Sequence, residues 1–185
     1  LTASDGFLGT GELVAPGAIT INVGTDIFAD LLDTGTNLTL TAQNIGVNTI
    51  NAGGSVTATA TGGNVDIGAT IAGNNVSVTG NNVFYDSISG TAVTLNATAG
   101  QVLGSSTGNI DAITNINLDA TTSVTVGAVR ALAGTTLIDA GSDISFTSAS
   151  SGSGMTVDAG GNIFGGTVTT SPLSGDATFD AVSAI

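Results

Sequence analysis

The stretch that decides the fold is INLDA, residues 116–120, because a similar five-residue motif returns along the chain. It comes back as TLIDA (residues 136–140), MTVDA (residues 155–159) and ATFDA (residues 177–181). Every copy ends in an apolar residue followed by Asp-Ala, and INLDA alternates apolar with polar side chains. Alternation with a period of two is typical of a β-strand with one buried face. The motif therefore predicts a strand that recurs about every twenty residues.

Aligning the whole chain on the first position of this motif gives nine segments. They begin at Ile19, Leu38, Val56, Val76, Val93, Ile116, Thr136, Met155 and Ala177. The steps between these positions are 19, 18, 20, 17, 23, 20, 19 and 22 residues. A fixed period in this range is typical of solenoid architectures.

Two further apolar sites follow the motif in most segments. The second site reads Ile27-Phe28, Ile45/Val47, Val65/Ile67, Val83-Phe84, Val102-Leu103, Val124/Val126, Ile144/Phe146 and Ile163-Phe164. The third reads Leu31, Ile50, Ile71, Ile88, Val129 and Val168. Gly, Asn, Ser and Thr, which favour turns, separate the sites. Three short strands per segment predict an all-β parallel β-helix of about nine coils, with roughly 20 residues per coil. A β-sandwich would also supply many strands, but it would not explain the recurring motif.

Within INLDA we expect Ile116, Leu118 and Ala120 to face the core, and Asn117 and Asp119 to face outward. This motif would form the first wall of each coil.

Three segments depart from the plain repeat. Residues 1–18 lie outside the alignment and are interpreted as an N-terminal cap or an irregular first coil, so the β-helix proper covers residues 19–185. Residues 25–35 could pass for a short helix, but they fit the repeat register, and we expect a strand. The 23-residue coil must contain a loop, which we place at residues 104–109.

The composition excludes several classes of partner. The sequence has 14 acidic residues, one basic residue (Arg130) and no His, which gives a formal net charge of −13. Binding of nucleic acid or of anionic membranes requires basic side chains, so we expect neither. No apolar run reaches the length of a membrane-spanning helix. The hydrophobic content of 41% argues against a disordered chain.

The repeat resembles the shaft of filamentous-haemagglutinin-like and autotransporter-type exoproteins. The residues that carry the resemblance are the [VIL]-T-[VIL]-[TND]-A walls and the GN-[IV] entries, such as residues 62–65 and 161–163. It covers residues 19–185 and implies a right-handed β-helix on the bacterial surface or outside the cell. The NPNL- and NPNG-type motifs of the family's secretion domain do not occur in the chain. In such families the shaft holds binding regions away from the cell.

Four residues share the Asp position of the motif: Asp119, Asp139, Asp158 and Asp180. Stacked coils would place neighbouring carboxylates about 4.8 Å apart in one row. Three interpretations follow: a Ca²⁺ site that bridges coils, a carboxylate pair for glycoside hydrolysis, or solvated side chains without a ligand. An open wall without a cleft argues against catalysis, so we expect no enzyme and no cofactor except Ca²⁺ in this row.

Earlier coils carry hydroxyls in the outward positions, notably Thr39, Thr41, Thr57, Thr59 and Thr79. Rows of Thr on one face resemble ice-binding surfaces, although Thr is also simply a favourable strand residue.

We therefore expect a non-enzymatic, extracellular structural protein, either an adhesin shaft or a fibre subunit that joins end to end. Its partners would be copies of itself or the rest of a longer shaft, together with a host-surface or glycan receptor. The alternative is a ligand-binding β-helix that uses the Asp and Thr rows for Ca²⁺, glycan or ice.

Overall fold

The computed structural model of the chain describes residues 2–3, 8–170 and 176–181, and every regular element within these ranges is a β-strand. Ten strands form sheet A: β1 (Thr2–Ala3), β3 (Ile19–Val23), β5 (Leu38–Ala42), β7 (Val56–Ala60), β9 (Val76–Gly80), β11 (Val93–Ala97), β13 (Ile116–Ala120), β15 (Thr135–Ala140), β17 (Gly154–Ala159) and β19 (Ala177–Ala181). Nine strands form sheet B: β2 (Leu8–Ala15), β4 (Asp26–Thr34), β6 (Asn44–Ala52), β8 (Val65–Ala72), β10 (Val83–Gly90), β12 (Val102–Ala112), β14 (Val124–Ala131), β16 (Ile144–Ser151) and β18 (Ile163–Thr170).

Every strand pairs in parallel with the strand two places along the chain, so the chain winds alternately through the two sheets. This confirms the parallel solenoid of about nine coils. The predicted alignment is also confirmed, because Ile116 pairs with Val93 on one side and with Thr136 on the other. The hand of the solenoid stays a prediction.

Sheet A has the predicted distribution of side chains. In β13, Ile116, Leu118 and Ala120 are buried, Asn117 is half-buried and Asp119 is exposed. The same alternation from β3 to β17 sends apolar side chains towards sheet B, where they join one continuous core along the solenoid. Burial of this apolar surface is the main stabilising contribution to such a fold.

Sheet B differs from the prediction, because the second and third apolar sites belong to one bent strand instead of two short ones. In β8 the inward residues are Val65, Ile67, Thr70 and Ala72, so the alternation slips by one residue between Ile67 and Thr70. The bend brings the backbone of adjacent coils close together. A Cβ added to Gly68 would lie 2.0 Å from the carbonyl oxygen of Asn48. Each coil therefore contributes two strands.

The slip changes which residue of the third apolar site lies in the core. Leu32 is fully buried at the third site, whereas the predicted Leu31 is only half-buried. Thr70 is buried at the same site in β8, whereas the predicted Ile71 is 60% exposed. The path of the backbone through the bend decides which face of the strand a side chain lies on. The apolarity of a residue does not show by itself that the residue is buried.

Asparagines that precede the sheet B strands stack on one another from coil to coil. The backbone N–H of Asn64 donates to Oδ1 of Asn44 at 3.0 Å, and Nδ2 of Asn82 donates to Oδ1 of Asn64 at 2.9 Å. The backbone N–H of Gln101 continues the ladder by donating to Oδ1 of Asn82 at 3.0 Å. The side chains of Asn44 and Asn82 thus satisfy backbone N–H groups of the following coil, and Asn64, which belongs to a GN-[IV] entry, links the two.

The extra residues of the long coil lie where the sequence predicts them. Tyr85 pairs with Gly104 and Ser87 pairs with Asn109, so five steps along β12 match two steps along β10. The difference of three residues forms a bulge, and regular pairing with β14 resumes at Ile110. Bulges of this kind insert residues into a strand without disturbing the register beyond them.

The two remaining segments continue the sheets. Residues 26–34 form β4, so the helical alternative is wrong and the strand prediction is confirmed. The described part of the first eighteen residues extends both sheets, since β1 pairs with β3 and β2 pairs with β4. A capping role for that segment stays a prediction.

Candidate functional site

The four motif aspartates form one row on the outer face of sheet A, which we call the Asp row. Asp119 pairs with Asp139, Asp139 with Asp158, and Asp158 with Asp180 in consecutive strands. All four side chains are exposed. The predicted juxtaposition is therefore present. Within the described residues no group of three or more His, Cys, Asp or Glu is arranged to hold a metal ion, and calcium binding by the Asp row stays a prediction.

The predicted threonines also lie in register on sheet A. Thr39 pairs with Thr57, and Thr41 pairs with Thr59, which in turn pairs with Thr79. We call these two lines of side chains the Thr rows. All of these threonines except Thr57 are half-buried. The rows place hydroxyls one coil apart, at a strand spacing of about 4.8 Å. Recognition of ice or glycan by them stays a prediction.

Sheet B presents a second outer face that the sequence pattern did not reveal as a surface. Phe28 and Phe164 were assigned with their neighbours Ile27 and Ile163 to the second apolar site, but they are 49% and 58% exposed. Adjacent residues of a strand point to opposite faces, so only the first member of each pair can reach the core. Strict alternation along the strand could therefore have predicted from the sequence that these two aromatic side chains face outward.

A groove of about 580 Å³ lies on this face near the N-terminal coils, and we call it the sheet B groove. It is lined by Gly9, Phe28, Ala29, Asp30, Asn44, Ile45, Gly46, Val47, Asn48, Asn64 and Asp66. The ring of Phe28 lies over Gly46 in the next coil. A Cβ at Gly46 would lie 2.7 Å from Cδ1 and 3.0 Å from Cε1 of that ring. Glycine at this position therefore allows the ring to lie across the neighbouring strand.

Two asparagines that line the sheet B groove donate hydrogen bonds to carboxylates of the preceding coil, of which Asp30 also lines the groove. Nδ2 of Asn48 donates to Oδ1 of Asp30 at 2.9 Å, and Nδ2 of Asn44 donates to Oδ1 of Asp26 at 2.8 Å. These bonds link neighbouring coils and hold the carboxylates at defined places. The groove thus combines an aromatic ring with oriented carboxylates and amides.

Asp66 lies at the end of this groove and also lines a smaller cavity of about 180 Å³, together with Phe84, Tyr85, Asp86, Leu103, Gly104 and Ser105. Partial burial raises the pKa of Asp66 above its ordinary value, and the neighbouring carboxylate of Asp86 raises it further. Both causes disfavour the negative charge. The two cavities therefore share one carboxylate, that of Asp66, and the second cavity adds that of Asp86.

Tyr85 is buried under the bulge, and its hydroxyl has no hydrogen-bond partner. A Cβ at Gly104 would lie 2.7 Å from that hydroxyl oxygen, so the ring fills the space that the glycine leaves. Desolvation raises the pKa of Tyr85, which keeps the phenol neutral. The residue acts as a core side chain in this structure.

The one basic side chain of the sequence is already paired. Nε of Arg130 donates to Oδ1 of Asp111 at 2.7 Å on the outer face of sheet B. Both side chains are about half exposed, so the pair contributes little to stability. No described residue of the chain offers a further basic side chain to any of the surfaces above.

The last described coil exposes an apolar surface. Phe179 in β19 has the core register of Val157 in β17, yet Phe179 is 44% exposed. With Phe146, Ile163 and Val168 it lines a cavity of about 520 Å³. β19 pairs with β17 on one side and with no described strand on the other.

Within the described ranges there is no helix long and apolar enough to span a membrane. Comparison of the chain with protein-family models, with curated protein sequences and with solved structures gives no match.

Proposed function

We propose that the chain is a non-enzymatic, extracellular structural protein: the β-helical shaft of a bacterial surface adhesin, or a fibre subunit that joins end to end. The shaft of filamentous-haemagglutinin-like and autotransporter-type exoproteins is the family resemblance behind this proposal. The parallel solenoid is consistent with such a shaft.

The observation that carries the proposal is the parallel solenoid itself, whose stacked coils form one continuous core. Among the described residues, Phe179 is 44% exposed and one edge of β19 has no strand partner, and a further coil stacked on β19 would cover both. That coil could belong to the same chain, as in a long shaft, or to a second copy, as in a fibre. Uncovered strand edges otherwise favour uncontrolled association, and head-to-tail contacts that do not close produce filaments.

The surface chemistry supports a structural role over a catalytic one. The sequence has no His, Cys or Lys, so most nucleophile–base pairs are absent. The carboxylates of the Asp row lie on an exposed sheet face, where water is not excluded. Paired carboxylates in glycosidases work on a substrate held between them.

Negative-stain electron microscopy of the purified chain at several concentrations tests the fibre version. We expect thin, uniform fibres whose length increases with concentration and which persist in a chelator. Phe179→Asp should prevent them, because it places a charge in the apolar end. Ile71→Asp, at a 60% exposed position in β8, is the matched control and should leave fibres intact. Short rods of constant length at all concentrations would contradict the fibre version and favour the adhesin-shaft version.

The Asp row favours a second candidate, a calcium-binding β-helix. Four like charges in one row repel each other unless a cation lies between them. Ca²⁺ accepts carboxylate and water oxygens in irregular geometry. If it binds, the melting temperature should rise with Ca²⁺ concentration by mass action, and Asp139→Asn/Asp158→Asn should abolish the rise. An unchanged melting temperature up to millimolar Ca²⁺ would dismiss this candidate.

A further inference from the structure

The sheet B groove carries negative charge without a matching positive charge. Asp30 and Asp66 are the charged residues that line it, and no basic side chain does. The single basic side chain, Arg130, pairs with Asp111 elsewhere on the sheet. With a net charge of −13, the chain cannot neutralise this groove by itself. Its electrostatic complement is therefore a cation from outside the chain.

An aromatic ring lies among these carboxylates. Phe28 is 49% exposed, and its ring lies across Gly46 of the next coil. Asp66 follows Gly46 in the same outward row, two coils from Phe28. The face of an aromatic ring attracts ammonium and guanidinium groups. A phenyl ring supplies no ligand to a metal ion, and the described residues hold no group of three metal-binding side chains. The combination therefore favours an organic cation over a metal ion.

We propose that the sheet B groove is a docking site for a basic segment of a partner polypeptide, with an Arg or Lys side chain over Phe28 and against Asp30 and Asp66. This site is distinct from the surfaces on which the structural role above depends. It would give a shaft or fibre a specific point of attachment along its side.

A second pair of an aromatic ring and a carboxylate lies beyond the groove, so a partner with two basic residues could bind both pairs. Asp66 is shared with the smaller cavity that contains Phe84 and Asp86, so an aromatic ring and a carboxylate occur again three strands from Phe28. Three strand spacings amount to about 14 Å. An extended peptide that crosses the strands covers this distance in about four residues, and residues four apart point to the same side. A basic residue at every fourth position is therefore the expected spacing.

The probe is a five-residue peptide with blocked ends, Arg-Gly-Gly-Gly-Arg, titrated into the folded full chain at 150 mM salt and followed by calorimetry. The same peptide with citrulline in place of both arginines retains the shape and removes the charge. We expect Phe28→Ala and Asp66→Asn each to weaken binding of the arginine peptide by about three- to tenfold. The citrulline peptide should show no binding.

Two variants serve as matched controls. Phe164 lies in the same outward row at the far end and is 58% exposed, but the cavity beside it has no charged lining residue. Asp158→Asn removes one negative charge, as Asp66→Asn does, but on sheet A and away from the groove. We expect Phe164→Ala and Asp158→Asn to change the affinity less than twofold, and circular dichroism should show all four variants folded.

Three outcomes would overturn the proposal. Equal weakening by Asp66→Asn and Asp158→Asn would mean that the peptide responds to net charge alone. Equal binding of the citrulline peptide would mean that the groove does not recognise a cation. Absence of any binding by the arginine peptide at millimolar concentration would mean that the groove is not a docking site for a basic segment.

Discussion

At the scale of single residues, the repeat itself identifies side chains that do not suit their place. Thr136 has the inward register of Ile116 and Met155, is 1% exposed, and its hydroxyl lacks a hydrogen-bond partner. A buried unpaired hydroxyl is unfavourable because it has lost its bonds to water. The neighbouring coils have an apolar side chain at the same position.

Thr136→Val should therefore stabilise the chain by about 1 kcal/mol. Valine keeps the shape of threonine and removes the unpaired hydroxyl. The measurement is the shift of the denaturation midpoint in urea. Thr156→Val, at an exposed outward position in the next strand, is the control and should move stability by less than about 0.5 kcal/mol. A lower midpoint for Thr136→Val would mean that the hydroxyl forms a bond in solution.

Asp66 gives a prediction about pH. Its pKa is raised above 3.8 in the folded chain, so folding disfavours its ionised form. Between 3.8 and the raised value the folded chain binds more protons than the unfolded chain, and stability from this group falls as pH rises. Asp66→Asn should therefore be more stable than the parent at pH 7, and the advantage should shrink as pH falls from the raised pKa towards 3.8 and be absent below that value. Melting temperatures from pH 3 to pH 7 provide the measurement, with Asp158→Asn as the matched charge change. A stability advantage that does not shrink at low pH would contradict this explanation.

At the scale of elements, the two sheets differ in how far the sequence predicts them. The strands of sheet A from β3 to β17 alternate without a slip, so alternation in the sequence assigns their side chains correctly, as in β13. The strands of sheet B bend in the middle, and alternation slips there. For that reason Leu31 and Ile71, which apolarity assigns to the third site, are half-buried and exposed, while Leu32 and Thr70 take the inward places. The bulge was placed correctly because an excess in coil length needs no knowledge of the bend.

The bulge itself should be dispensable. Deleting residues 105–107 removes the three extra residues between the pairs Tyr85–Gly104 and Ser87–Asn109. The strands on either side keep their partners, so we expect the circular dichroism spectrum to be retained and stability to change by about 1 kcal/mol or less. Deleting residues 57–59 from β7 is the control and should unfold neighbouring coils, because it removes a wall of the core. A comparable loss from both deletions would show that the bulge supports the coil.

At the scale of the whole molecule, each coil is held by its two neighbours and the surface is strongly acidic. If copies join end to end, every contact brings together two chains of net charge −13. Salt reduces this repulsion, since the Debye length falls from about 30 Å at 0.01 M to about 8 Å at 0.15 M. The apolar end around Phe179 is affected much less by this range of salt.

Fibre growth should therefore be slow in 0.01 M salt and clearly faster in 0.15 M salt, as followed by light scattering. The Phe179→Asp variant should show no growth at either concentration, which separates end-to-end assembly from general salting-out. Growth rates that do not depend on salt would contradict a contact between like-charged subunits.

The sequence by itself determined the period, the number of coils, the register of sheet A and the position of the bulge. All four follow from backbone pairing between copies of one motif, which is local information repeated nine times. Only the tertiary structure decided which face of sheet B is outward, that Thr70 and Leu32 complete the core, and that Phe28, Asp30 and Asp66 share a groove. The physical reason is that a bend inside a strand changes the side of every later residue. On sheet B this change of side decides which residues of neighbouring coils share a face, and the period of the repeat alone does not show it.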